Sequence, residues 1–281
     1  MGPRLFVYLA SNAPIGVVLS RGPTDWAQLS VWHTDSDRVV GGQWIKGRVY
    51  ERRSDLSADG SLFTAFVRQS NGRDLQGADS WIAVSRPPYF SALAVWFVGG
   101  TYHTGGFFPA PDTLWTGYQQ TTPPDRGEIP AWLTMRDARD IAYIDRTNEW
   151  PDRTVHFNRL LRDGWELLDR EPLQTLWRRR HPREPFSLQM LHTFGEPRRQ
   201  GGRYVIHYGV WDESERREVP LGRATWADWD QRGRLVLARD GQLLQANVQT
   251  GSVELIADFN GRTPDPQPAP DEALAWPRRS S

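Results

Sequence analysis

The chain has 281 residues, enough for one large domain or two small ones, and its 34 basic and 34 acidic side chains cancel to a net charge of zero. That balance excludes a global field directed at nucleic acid or a membrane surface. The absence of cysteine excludes disulfides, thiolate metal ligands and thiol nucleophiles together.

The N-terminal stretch MGPRLFVYLASNAPIGVVLSRG is apolar but breaks at Ser11-Asn12-Ala13-Pro14, without the continuous apolar core and cleavage site of a signal peptide. No later run approaches a membrane span, so a cytoplasmic protein without a membrane partner is expected. Short runs rich in Val, Ile, Leu and aromatics then recur between Gly, Asp, Asn and Pro. They predict strands over 5–9, 16–20, 28–33, 44–50, 62–67, 81–85, 93–98 and 113–118. After a Pro-rich stretch, 119–130, come two expected helices: 131–142 behind a proline, and 155–162 between Thr154 and Gly164. Strands resume over 165–168, 176–179, 187–192, 204–210, 235–238 and 253–257. The Pro-rich end, 262–281, predicts an extended or disordered tail, whose EALAW segment is able to dock on a partner or on the domain.

An internal repeat fixes the expected architecture. VVLSRGPTDWAQLSVWHTDSDRVV, from Val17, aligns with LVLARDGQLLQANVQTGSVELI, from Leu235, when the first turn is shortened. Each reads as an apolar strand ending in Arg, a turn, a strand opening with Gln-Leu, then Thr and a third strand. A weaker copy relates DLSADGSLFTAFV, from Asp55, to DWDQRGRLVLA, from Asp228. Units of roughly 40–55 residues have the period of a propeller blade, so an all-β, five-bladed β-propeller over 1–261 is expected. The competing arrangement is a sandwich, or a pair of β-domains divided at 119–130.

The turn DLSADG places Asp55, Ser57 and Asp59 as an EF-hand loop would, with Gly60 at the sixth position. The twelfth position is Phe66 rather than Glu and no flanking helices are predicted, so a β-corner is the better reading. SADG leading into a strand resembles the Ser-Pro-Asp-Gly turn of TolB-like and WD40-like propeller blades, with Ala58 where Pro is usual. GQWIKGRVYERRSDLSADGSLF and SWIAVSRPPYFSALAVWF resemble a family of uncharacterised bacterial proteins that commonly carry Cys where this chain has Ser54. The resemblance implies a bacterial propeller and no established activity, cofactor or site.

Other patterns carry weaker chemistry. The six histidines show no zinc spacing and no Gly-x-Ser-x-Gly elbow occurs, so no metal, cofactor or catalytic residue is assigned. GGTYHTGGFF lacks the order of a phosphate cradle and reads as a flexible loop. A small-molecule ligand, if bound, is expected at Tyr102, His103 and Trp115. WRRRHPRE offers Trp177, Arg178 and Arg179, and the turn-adjacent Trp226 and Trp229 add indoles, the composition of a protein-recognition surface. Acidic residues interleave with these arginines, which argues against nucleic acid. The expected function is a non-catalytic scaffold that binds another protein. The alternative is a hydrolase or lyase with carboxylates in a central funnel.

Overall fold

The computed structural model describes residues 2–22, 24–69, 77–116, 122–136, 151–194 and 204–278. The fold is all-β, with 49% strand against 7% helix, in five small sheets that succeed one another along the chain, the make-up of a five-bladed β-propeller. Two compact units are distinguished within it: residues 1–6 with 160–260, and residues 7–159 with 261–281. That division does not fall at 119–130.

The first sheet runs in order β1 (Arg4–Leu9), β2 (Ile15–Arg21), β3 (Trp26–His33) and β4 (Arg38–Lys46). The second holds β5 (Arg48–Val49), β6 (Asp55–Leu56), β7 (Phe63–Arg68), β8 (Ser80–Ser85) and β9 (Ala92–Val98). The third is built from β10 (Phe107–Ala110), β11 (Thr113–Trp115) and β13 (Thr134–Met135). Between them β12 (Arg126–Gly127) returns to pair antiparallel with β9, so this part of the Pro-rich stretch belongs to the second sheet. β13 lies parallel to β11, an exception to the antiparallel pattern. Residues 131–136 are therefore turn and strand rather than the start of a helix, and 137–142 lie outside the described residues.

The helix α1 (Pro151–Arg162) contains the expected segment 155–162, with Pro151 at its first position, where a missing N–H costs nothing. The fourth sheet follows as β14 (Glu166–Glu171), β15 (Gln174–Arg180), β16 (Phe186–Phe194), β17 (Tyr204–Asp212) and β18 (Arg217–Pro220). The fifth is β19 (Trp226–Trp229), β20 (Leu235–Arg239), β21 (Gln242–Ala246) and β22 (Val253–Asp258). Among the described residues no helix is long and apolar enough to cross a membrane.

The sequence repeat is a repeat of hairpins. Its two copies are β2–β3–β4 and β20–β21–β22, each a three-strand antiparallel run. The weaker copy is a shared turn. Between β6 and β7, Ser57 N–H donates to Leu62 O at 2.9 Å and Gly60 N–H to Ser57 O at 2.9 Å. Between β19 and β20, Asp230 N–H donates to Arg234 O and Gly233 N–H to Asp230 O, also at 2.9 Å. Gly60 and Gly233 have φ of 74° and 79°, which a residue with a Cβ adopts only with strain, so both copies carry Gly there. The side chain heading each turn fastens it: Ser57 Oγ accepts Leu62 N–H, and Asp230 Oδ1 accepts the amides of Arg232 and Arg234.

Strand burial follows composition. β20, LVLAR, buries its first four residues and is a continuous apolar run; β22, VELIAD, leaves Val253 and Leu255 exposed and alternates with charge. In the second and third sheets one core gathers Leu62, Phe66, Ile82, Trp96, Phe108 and Leu114. Fully burying each such side chain contributes about 1.5–3 kcal/mol. The tail is extended, as its prolines dictate, but it is packed against its own unit: Ala273 is buried and Trp276 meets Trp132 edge to face.

Candidate functional site

Among the described residues the most exposed aromatic side chain stands on the Gly-rich stretch 99–106, between β9 and β10. Tyr102 is 88% exposed, yet the loop that carries it is fastened at both ends. At its start, Gly100 N–H donates to Asp79 Oδ1 at 2.8 Å, and Ser80 Oγ, 2.6 Å from Val98 O and 2.5 Å from Gly100 O, shares its one proton between these two carbonyls. Around Tyr102, Arg53 Nη1 donates to Thr101 O at 2.5 Å and to His103 O at 3.0 Å, so one guanidinium grips the carbonyls on either side of it. At its end, Gly106 N–H donates to Arg53 O at 3.2 Å. A Cβ on Gly105 would lie 2.0 Å from that same carbonyl, so the glycine lets the two backbones meet.

Arg53 itself is buried, at the end of the 3-10 turn Glu51–Arg53. Its guanidinium lies 4.7 Å from the centroid of Tyr50 and 5.2 Å from that of Phe66, whose ring faces favour the cation where water is excluded. From α1, Arg159 donates to Ser54 O at 2.5 Å and Glu51 O at 3.3 Å, satisfying carbonyls that the short turn leaves open. Tyr8 adds its hydroxyl to Glu51 O at 2.8 Å, and burial, the largest influence, drives that phenol well above its ordinary range. Ser54 is buried, donating to Tyr50 O and accepting Phe66 N–H, so its hydroxyl is part of the framework.

His103 is held below the ordinary imidazole value, first by burial, against a hydrogen bond to Gly99 and with the Arg53 charge adding. It is therefore neutral at neutral pH. Tyr102 and His103 thus share one fastened loop. Trp115, the third expected ligand contact, pairs across from Phe107 and is buried with it against Val155, so it packs rather than faces a ligand.

The turn DLSADG divides its two acids, Asp55 and Asp59. Asp59 Oδ1 accepts Ser57 Oγ at 2.6 Å and Ser61 N–H at 3.0 Å, the work of a corner. Asp55 is buried and accepts Phe108 N–H at 2.9 Å, joining the second and third sheets. Among the described residues no group of three or more His, Asp or Glu is placed to hold a metal ion.

The expected protein-recognition residues have other neighbours. Trp177, Trp226 and Trp229 are buried, so their indoles are packing groups: Trp177 Nε1 donates to Thr175 Oγ1 and Trp229 Nε1 to Arg179 O. Trp226 and Trp229 stand on β19, which is buried throughout, and Trp177 stands on the buried face of β15, placements that the sequence neighbours did not signal. Arg178 pairs with Glu166 at 2.7 Å, and Arg179 with buried Asp228 at 2.5 Å.

Asp228 was missed by sequence reasoning. It accepts Trp229 N–H at 2.8 Å and the Trp165 indole at 3.3 Å. Burial raises it above the ordinary aspartate value despite Arg179, and the nearby Asp163 charge adds to the rise. The fold and the loop together define an all-β chain of propeller make-up that displays the Tyr102 side chain on a loop whose backbone is fastened at both ends. No protein-family model matches the chain, and no curated protein matches it.

Proposed function

We propose that the protein is a non-catalytic binding module that recognises another protein, with Tyr102 at the centre of the contact. The observation that carries this reading is the exposed phenol on a loop gripped by Arg53 and by the Asp79–Ser80 pair. A loop whose backbone is already fastened on both sides of the residue has less main-chain freedom to lose on binding, and the exposed phenol brings a large amphipathic surface, the character of an interface hot spot. The Ser-Ala-Asp-Gly hairpin supports the finer reading of a TolB-like or WD40-like propeller, and a bacterial, cytoplasmic setting is part of the same proposal. The test is capture of partners from the native lysate by the wild-type chain and by Tyr102→Ala. We expect one stoichiometric protein with the wild type and a loss of about tenfold or more with the variant, at unchanged melting temperature. Retention of that partner by Tyr102→Ala would overturn the reading.

The second reading is a hydrolase or lyase, and Asp228 favours it. A carboxyl raised first by burial, with Asp163 adding to the rise, has the character of a general acid. Against it, the neighbouring His181 has both ring nitrogens committed, Nε2 to Gly233 O and Nδ1 to the amides of Arg183 and Glu184. Turnover of an aryl ester or aryl glycoside that disappears in both Asp163→Asn and Asp228→Asn would move the assignment to this reading.

A further inference from the structure

The tail is read by side chains that the body of its unit has already set in position. Gln43 Oε1 accepts Phe90 N–H at 2.7 Å and Ser91 N–H at 2.9 Å, which turns its amide nitrogen outward to donate to Gln267 O at 3.0 Å. Gln28 is set the opposite way: its Nε2 donates to Gly42 O at 3.2 Å, leaving Oε1 to accept Arg262 Nη1 at 3.3 Å. Gly42 lies so close to Pro88 that a Cβ there would be 2.2 Å from Pro88 O, and Gln43 N–H donates to that carbonyl at 3.0 Å. The segment 86–91 is thus clamped against β4 without help from the tail.

Two further contacts complete the seat. Arg86 Nη1 donates to Glu272 O and, at 3.3 Å, to Ala275 O, placing a cation on carbonyls at the end of the 3-10 turn Asp271–Leu274. Trp132 receives Trp276 edge to face, with centroids 6.1 Å apart. Gln43 and Arg86 read backbone carbonyls, as receptors for extended peptides do. Side-chain identity enters at Arg262, at the small buried Ala273 and at Trp276. Most of the tail's surface remains in water, the mark of a segment with low local stability.

We propose that this seat is a receptor for proline-rich, extended segments of partner proteins ending in Ala-x-x-Trp, and that the chain's own tail occupies it as an internal competitor. The inference is independent of Tyr102 and concerns a different surface of the unit. A bound partner would keep the carbonyl contacts to Gln43 and Arg86 and place its indole on Trp132.

The experiment measures binding of a fluorescently labelled peptide of residues 262–278 to the full-length chain by anisotropy. The wild type, whose own tail competes at high effective concentration, should bind it at least about tenfold more weakly than full-length Trp276→Ala. Adding Arg86→Gln or, separately, Trp132→Ala to Trp276→Ala should weaken the peptide again, and Arg86→Gln leaves the core untouched should the tryptophan variant fail to fold. No binding to folded Trp276→Ala, or binding indifferent to Arg86→Gln, would overturn the proposal. A wild-type dimer in sedimentation that dissociates on adding peptide would assign the seat to a second copy of this chain, which also overturns it.

Discussion

Two aspartates in different parts of the molecule have the same kinds of partner, and their pKa values move in opposite directions. Asp79, at the foot of the Tyr102 loop, accepts Gly100 N–H at 2.8 Å and faces Arg68 at 2.9 Å. Asp228, at the end of β19, accepts Trp229 N–H at 2.8 Å and faces Arg179 at 2.5 Å. Asp79 is held below the ordinary aspartate value, chiefly by the Gly100 amide, whereas Asp228 is held above it, chiefly by burial. Side-chain exposure of 36% against 12% decides the difference. Where water still solvates the carboxylate, an amide and an arginine favour the charge; where it is excluded, the same two partners do not recover the lost hydration.

The comparison breaks most forcefully at a residue that holds the first region from its other side. Arg53→Ala removes the guanidinium from two carbonyls and two ring faces, and we expect a loss of about 3 kcal/mol in urea unfolding. The loop 99–106 should then be cut first in limited proteolysis, because Asp79 and Ser80 fasten only its start. Unchanged proteolysis would mean that the foot alone holds Tyr102.

A smaller effect sharpens the second region. Asp228→Ala leaves the Trp229 amide and the Trp165 indole without their acceptor, and about 2 kcal/mol should be lost. The isosteric Asp228→Asn tests the ionisation itself. Because the folded value lies above the unfolded one, the folded chain binds this proton more readily. The wild type should therefore lose stability as pH rises from the ordinary aspartate value through the raised one, and the Asn variant should not. A wild-type curve that climbs relative to the variant over that window would show that Arg179, not burial, governs the site.

The hairpins were legible because their signals are local. Gly60 and Gly233 must be glycine to hold a positive φ, Ser57 and Asp230 must cap a turn, and the Gln-Leu pair recurs within β3 and at the start of β21. β10 was hidden, since its Phe107-Phe108 start follows four glycines in eight residues and reads as loop. Nor does anything local separate Arg53 from Arg52, or Asp228 from the turn acids around it. What marks them is contact with Thr101, His103 and Arg179, far along the chain. The indoles are hidden for the same reason: Trp226 and Trp229 lie beside turns in sequence and Trp177 heads a run of arginines, yet all three are buried in sheets. Tyr102 and His103 lie in an inter-strand loop, as the flanking glycines signal, but the side chains that fasten it are ones that no pattern within the loop reveals.

The smallest predicted effect is the one that separates the two aspartates most cleanly. Asp79→Asn keeps a carbonyl oxygen for Gly100 N–H and loses only the charge, so the cost should stay below about 1 kcal/mol, as exposed pairs with Arg68 usually contribute. Its pH dependence has the reverse sense to that of Asp228. A folded value below the unfolded one gives stability that is fully present above the ordinary aspartate value and is lost as pH falls through the lowered one. Wild type and Asp79→Asn should therefore differ in melting temperature near neutrality and converge in acid, while wild type and Asp228→Asn diverge in the opposite direction with pH. Two curves of the same slope would mean that exposure does not set these charges, and that the loop foot owes its hold to Ser80 alone.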